Sequence, residues 1–402
     1  MKILYLRTVY WFDLRVGGSV THTAGVINAL DKRVNLIVVS NEKLEGVKKD
    51  IIILKPIYIP FLPNYFGELL YNFKIIKFCK NIKVDFIYQR YSGFSFCGAY
   101  LSKIKKIPLI LEFNSSDVWK IKHWDPIDGN IIKKFLKNLY NHIFKCPLVS
   151  YIERYNLINA KYIVVVSEAL REFIIKLGIK NEKIIVIPNG VDEKEYRPDI
   201  NCQDIKLKYN LYNKITIGFV GTFGKWHGVE KIPLAYGKLI KEYPYLKEKT
   251  KLLLIGNGFT MNKVIENIKL MKIEDNVILT GIVPKSDIPK YLSACDILIN
   301  STIPNPDGSE FFGSPTKLFE YMAMGKAIIC SNIGQMSKIL IHKKTAYMVR
   351  AGDIDDMAYA MKVLIEDEKL REYLGENARK EVIEKYTWDK HVERILNEIK
   401  NE

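Results

Sequence analysis

Thirteen short runs rich in β-branched and aliphatic residues punctuate this chain, and most are separated by segments whose apolar residues repeat at helical spacing. In the first half the runs are Lys2–Leu6, Leu36–Ser40, Ile51–Leu54, Val84–Tyr88, Pro108–Phe113, Tyr162–Ser167 and Ile184–Pro188. In the second they are Ile215–Val220, Lys251–Ile255, Val277–Thr280, Asp296–Asn300, Ala327–Ser331 and Ala346–Val349, and from Asp353 onward the chain reads as helix almost to its end. This alternation is the pattern of parallel sheets wrapped by helices, an α/β architecture. It pauses at Pro188-Asn189-Gly190 and crosses a polar stretch, Asp192–Asn213, where an interdomain linker is expected. Two doubly wound, Rossmann-like domains follow, residues 1–195 and 196–385. Such sheets bind ligands beyond the carboxyl ends of their strands, so two facing sheets predict a site in the cleft between them.

A length of 402 residues has room for two or three domains, and 48% hydrophobic content excludes a disordered chain. The six cysteines contain no C-x-x-C pair, so neither a zinc site nor a disulfide framework is suggested and a reducing compartment is expected. No uncharged apolar stretch reaches membrane-spanning length, and Arg7 interrupts the apolar start too soon for a secretory signal, which predicts a cytoplasmic chain. The net charge of +16 is spread over both halves. Such a field attracts phosphate-bearing partners without choosing among nucleotide, nucleic acid and anionic lipid.

Two segments carry chemistry. Val16-Gly17-Gly18-Ser19, with His22 after it, follows the first strand; paired glycines let backbone approach a phosphate, and the next helix points unpaired N–H groups at the anion. A flexible turn capped by Ser19 is the alternative. In Gly313-Ser314-Pro315-Thr316-Lys317-Leu318-Phe319-Glu320-Tyr321-Met322-Ala323-Met324-Gly325, Ser314 suits an N-cap, Pro315 the first helical position and Gly325 the stop. Lys317 and Glu320 then share a face, where the carboxylate can accept two ribose hydroxyls and the ammonium with the helix N-terminus can hold a diphosphate. The alternative is an exposed Lys–Glu pair.

Together with Cys295–Ser301, Leu254-Ile255-Gly256-Asn257-Gly258, Thr280-Gly281, Val165-Val166-Ser167, Ile187–Asp192 and Tyr386-Thr387-Trp388, these segments resemble the retaining GT-B glycosyltransferases of the family-four group. The resemblance covers nearly the whole chain. It implies an N-terminal acceptor domain, a C-terminal donor domain, and a final helix over 386–402 crossing back to the first. It also implies hexosyl transfer from a nucleotide-diphosphate sugar to a glycan, glycolipid or lipid-linked acceptor, as in cell-surface polysaccharide or glycolipid synthesis. Glu320 would bind the donor ribose, Gly17 and Gly18 the diphosphate, and Gly256, Gly258, Ile282 and Val283 the base, with Gly313, Ser314, Pro315 and Thr316 also lining the donor. The sequence departs from the family pattern where the first of two paired glutamates falls at Phe312, so the contact to the donor sugar hydroxyls is either missing or moved to Glu310. It departs again where a diphosphate-holding Arg and Lys fall at Thr222 and His227, and where a His on the acceptor side falls at Asn114. Lys225 and Lys317 are expected to substitute at the diphosphate, and His22 is expected near the reacting centre.

Arg90, Asn114, Asp117 and Trp119 are acceptor candidates, since an aromatic ring beside amide and carboxylate groups can stack a sugar and fix its hydroxyls. For Trp119 the alternative is a core residue of an N-capped helix; for Arg90 it is pairing with a surface carboxylate. No cofactor is expected, and with no Asp-x-Asp pair placed near a strand end to hold magnesium or manganese, no metal either. The segment Ile131–Lys145, apolar at helical spacing with four lysines and no acid, adds an anionic membrane surface as a peripheral partner, against an ordinary core helix. A nucleotide-sugar epimerase and a non-enzymatic nucleic-acid binder are the competing readings; the second explains the charge but not the C-terminal motif, so nucleic acid is not expected as a partner.

Overall fold

The computed structural model describes residues 1–8, 17–60, 64–124 and 139–400. Val16 of the paired-glycine segment and residues 131–138 of the lysine-rich segment lie outside the described residues. The chain forms two compact units. The first includes residues 19–188 and takes up the chain again from His391; the second includes Asn189–Lys390.

The first unit is built on seven parallel strands: β1 (Lys2–Arg7), β2 (Asn35–Ser40), β3 (Ile51–Ile53), β4 (Phe86–Arg90), β5 (Leu109–Glu112), β6 (Tyr162–Val165) and β7 (Ile184–Val186). Their order is β3-β2-β1-β4-β5-β6-β7, with Tyr5 of β1 opposite Val38 on one side and Tyr88 on the other. Ile3–Leu6 and Leu109–Leu111 are almost wholly buried, as strands covered by helices on both faces require. Ser167 caps the helix Glu168–Lys176 by accepting the Leu170 N–H. The last helix, Trp388–Lys400, enters this unit through His391, whose Nδ1–H donates to the Pro188 carbonyl at 2.8 Å.

The second unit has six parallel strands: β8 (Ile215–Val220), β9 (Thr250–Ile255), β10 (Val277–Gly281), β11 (Ile297–Asn300), β12 (Ala327–Ser331) and β13 (Tyr347–Val349), ordered β10-β9-β8-β11-β12-β13. Ile217, Phe219, Leu252, Leu254, Ile297 and Ile329 form the sheet's share of a core closed by helices Lys231–Glu242 and Ile354–Glu366. In both sheets the strand order reverses once, between β1 and β4 and between β8 and β11. Side chains just past the carboxyl ends of those strands therefore stand at the crevice where open α/β sheets bind ligands.

All thirteen predicted strands are present within a few residues of their expected bounds. The stretch 192–213 is partly packed. Tyr196 and Leu211 are buried, and the helix Gln203–Lys208 crosses it. The apolar residues set among its charges are enough to pack it down.

Candidate functional site

In the second unit the site begins where β8 ends. Gly221 has φ +145°, and a Cβ there would come 2.6 Å from Lys317 Nζ, so the glycine makes room for the amine. That amine lies 3.9 Å from the centre of the Phe219 ring and 3.4 Å from His227 Nδ1. Burial, and then the Lys317 charge, hold the His227 imidazole well below its usual range, so the ring is neutral and Nδ1 can accept. Lys317 itself is buried, and desolvation pulls it down to about 7. One turn along the same helix, Glu320 is also buried and pushed up to about 7, chiefly by burial; the buried Tyr196 hydroxyl hydrogen-bonds to it. This is not the exposed Lys–Glu pair of the alternative reading. Two ionisable groups are held dry at the β8/β11 crevice, a costly arrangement unless a ligand supplies the missing charge partners.

The helix carrying them spans Thr316–Ala323. Pro315, not Ser314, takes the N-cap position, and among the described residues no side chain caps the first turn. Ser314 is used elsewhere: its hydroxyl accepts the Asn189 N–H at 3.2 Å and its carbonyl accepts from the Asn189 amide. Thr316 is buried at the uncapped end, and Gly325 stops the segment with φ +64°. Gly313 is half-buried, where a Cβ would come 2.6 Å from the Phe311 ring. Gly256 and Gly258 serve loop packing directly. A Cβ on Gly256 would sit 1.9 Å from the Gly221 carbonyl oxygen, and one on Gly258 2.8 Å from the Phe223 nitrogen. Beyond β10, Ile282 is 69% exposed, an apolar side chain available to a flat ligand, with Val283 half-buried beside it. Lys225 is half-buried with its amine 4.4 Å from the Phe259 ring centre. Phe312 is buried, while Glu310 is exposed.

In the first unit the polar centre is Glu112, fully buried at the end of β5. His22 Nε2 lies 2.7 Å from its Oε1, Arg90 Nη1 pairs with the same oxygen, Asn114 Nδ2 donates to it at 2.9 Å, and the Tyr88 hydroxyl donates to Oε2 at 2.9 Å. Burial alone would raise this carboxyl, but His22 and Arg90 overcome it and hold it well below the usual carboxylate range. Arg90 is thus paired with a buried carboxylate, not a surface one. His22 is buried in the helix Gly18–Asp31, its ring edge-on to His391 at 5.7 Å. Gly17, with φ +136°, precedes that helix and Gly18 begins it. Asn114 keeps one buried oxygen, Oδ1, without a hydrogen-bond partner among the described residues. Asp117 is half-buried, 2.5 Å from Lys120 Nζ.

Trp119 is corrected from sugar platform to core residue. It is 6% exposed and packs against Trp124 and His123, and its N–H is the one that Ser116 caps. Among the described residues, no group of three or more His, Cys, Asp or Glu side chains could hold a metal ion, and no helix is long and apolar enough to cross a membrane.

Residues 16–195 match the model of Glycosyltransferase Family 4, and residues 203–381 match that of Glycosyl transferases group 1. The chain belongs to these glycosyltransferases. An uncharacterized glycosyltransferase of Methanocaldococcus jannaschii is 26% identical over 356 residues, covering 84% of this chain and 82% of the relative. The N,N'-diacetylbacillosaminyl-diphospho-undecaprenol alpha-1,3-N-acetylgalactosaminyltransferase of Campylobacter jejuni is 25% identical, covering 80% and 78%. The crystal structure of Anabaena HepE in complex with UDP-glucose superposes with a TM-score of 0.74 at 18% identity over 100% of both chains, which shows the GT-B fold.

For this glycosyltransferase the sequence reading missed Tyr196 and Glu112. A carboxylate closing the otherwise apolar Leu109–Glu112 strand is a buried-polar signal readable in the sequence. Tyr196 lies in the polar stretch read as a linker, and nothing local marks it.

Proposed function

We propose that this glycosyltransferase moves a sugar from a nucleotide-diphosphate sugar to the hydroxyl of a glycan or lipid-linked acceptor, with retention of anomeric configuration. The observation that carries the reading is the buried Lys317–Glu320 pair beside Gly221 at the β8/β11 crevice. A ribose offers Glu320 two hydroxyl donors. A diphosphate offers Lys317 and the uncapped first turn of Thr316–Ala323 an anion. HepE was crystallised with UDP-glucose, and the Campylobacter relative is named for an undecaprenol-linked acceptor, which supports the donor and acceptor classes.

In the proposed step the bond from the anomeric carbon to the diphosphate oxygen breaks as the acceptor oxygen bonds on the same face. The leaving diphosphate takes the acceptor's proton. Lys317, Lys225 and the helix N-terminus stabilise the charge that develops, and no metal is required. Calorimetry with nucleoside diphosphates tests the reading: Glu320→Ala is expected to weaken binding by on the order of 1–3 kcal/mol with the fold retained. Unchanged affinity rejects it. Transfer is further expected to survive a chelator; complete loss, restored by manganese, would contradict the metal-free step.

A further inference from the structure

His227 stands on a short turn, Lys225–His227, between β8 and the helix Lys231–Glu242. The turn is pinned through its backbone. The Ser301 hydroxyl donates to the His227 carbonyl at 2.7 Å, the Ile303 N–H donates to the Trp226 carbonyl at 3.1 Å, and the His227 N–H donates to the Gly224 carbonyl at 3.0 Å. Gly228 follows with φ +59°, and a Cβ there would come 2.4 Å from the Ser301 carbonyl oxygen, so the loop after β11 lies directly against the turn. The ring is buried and edge-on to Phe219, their centroids 6.1 Å apart.

Three surfaces then bound the Lys317 amine: the Phe219 ring face, the backbone at Gly221, and His227 Nδ1. An ammonium has three N–H donors and no acceptor, so Nδ1 accepts one of them and the imidazole proton sits on Nε2. The Phe219 face takes a second. Among the described residues, the third N–H has no protein acceptor.

The charge acting on His227 is that of Lys317. Glu320, on the same helix, acts on Lys317, and Lys285, Glu195 and the Tyr196 phenol act on Glu320 in turn. The imidazole is thus the fixed neutral acceptor beside a desolvated amine, and such an acceptor favours the charged form over the neutral one.

We propose that His227 is a positioning residue, whose Nδ1 fixes the Lys317 ammonium with one N–H left for the diphosphate of the donor. The inference rests on the proposed contact between Lys317 and that diphosphate. A ring that only fills space is replaceable by a side chain of its shape. One that accepts a hydrogen bond is replaceable by a side chain with an acceptor at the δ position.

The full chain is titrated by calorimetry, in magnesium-free buffer, with inorganic pyrophosphate, which carries the diphosphate without ribose or base. Lys317→Met is expected to abolish measurable binding. His227→Phe keeps a ring and loses the acceptor, His227→Gln moves the acceptor outward, and His227→Asn drops the ring but keeps an oxygen at the δ position. The Phe and Gln variants are expected to bind about tenfold more weakly, the order of a hydrogen bond to a charged group, and the Asn variant to recover most of the parent's affinity. A packing role predicts the opposite order, with Phe the mildest change. In His227→Phe the alkaline fall in affinity is also expected to begin about one pH unit lower than in the parent, because the amine gives up its proton sooner. Nitrogen-15 NMR of the parent needs no variant and is expected to show His227 neutral near pH 7 with its proton on Nε2.

Absence of pyrophosphate binding, binding indifferent to Lys317→Met, a loss in the Asn variant equal to that in Phe, or a proton on Nδ1 would overturn the proposal. Failure of the donor reading shows instead in Glu320→Ala with nucleoside diphosphates, an experiment that does not involve His227.

Discussion

At the scale of single residues, Lys317 and Glu320 make the proposed donor site sensitive to pH in a way exposed side chains would not. Both are moved by burial to about 7, from ordinary values of 10.5 and 4.5. As a coupled pair they hold two protons on the acid side of neutrality and none on the alkaline side. Between 4.5 and 7 the folded chain keeps a proton on Glu320 that the unfolded chain has lost, so the pair's contribution to stability falls as pH rises. Between 7 and 10.5 the folded chain has lost a Lys317 proton that the unfolded chain keeps, so stability rises again with pH. The minimum near 7 is the desolvation cost of the site. A nucleoside diphosphate bound as proposed would reverse both shifts, because its phosphates would favour the ammonium and its ribose the carboxylate. Affinity is therefore expected to peak near pH 7 and to fall by up to about tenfold per pH unit on either side. Calorimetry in buffers of different ionisation enthalpy should show a proton released on binding at acid pH and one taken up at alkaline pH. A flat profile with no buffer dependence would mean that the nucleotide does not touch this pair.

At the scale of elements, the loops after β8 and β9 are fitted to each other through backbone. Gly256 combines φ +134° with 1.9 Å to the Gly221 oxygen, while Gly308 has φ +74° and nothing within 4 Å. Gly256→Ala is therefore expected to cost on the order of 3 kcal/mol, from backbone strain and overpacking together, and Gly308→Ala about 1 kcal/mol from strain alone. Urea denaturation compares them; equal costs would show that the Gly256 loop has room to give. The same loops show where local sequence suffices. Strands buried on both faces must be written as apolar runs bounded by Gly, Pro and Asn, so all thirteen are legible. The cap before Thr316 is not, because Ser314 and Pro315 both suit that end and Asn189, 125 residues away, decides between them by engaging Ser314. Glu112 has the same origin: it joins His22, Arg90 and Tyr88 from two other elements, and their spacing in the chain carries no trace of the meeting. Trp119 failed for the converse reason, since a polar neighbourhood in sequence does not say that the ring itself faces inward. The lysine and glutamate of Thr316–Ala323 were legible because one helical turn brings them together without tertiary help.

At the scale of the whole molecule, the groups proposed to bind nucleotide, Lys317, Glu320, Lys225 and Ile282, all belong to the second unit, and Glu112, His22 and Arg90 all belong to the first. Each unit has its own sheet and its own buried residues, so each supplies the main part of its own stability. A ligand that binds one folded unit and not its unfolded form stabilises that unit alone, by roughly 2.7 kcal/mol at a hundred times its dissociation constant. For a unit of this size that corresponds to a rise of about 5–10 °C in its melting temperature. Differential scanning calorimetry of the full chain is expected to resolve two transitions, of which a saturating nucleoside diphosphate moves one upward while the other stays in place. Glu320→Ala should remove most of that shift without moving the second transition. The chain from His391 onward opposes this separation, because it belongs to the first unit although the helix carrying it starts in the second. If the coupling through that helix dominates, a single transition will move as a whole, and donor binding will be a property of both units together and not of the second alone.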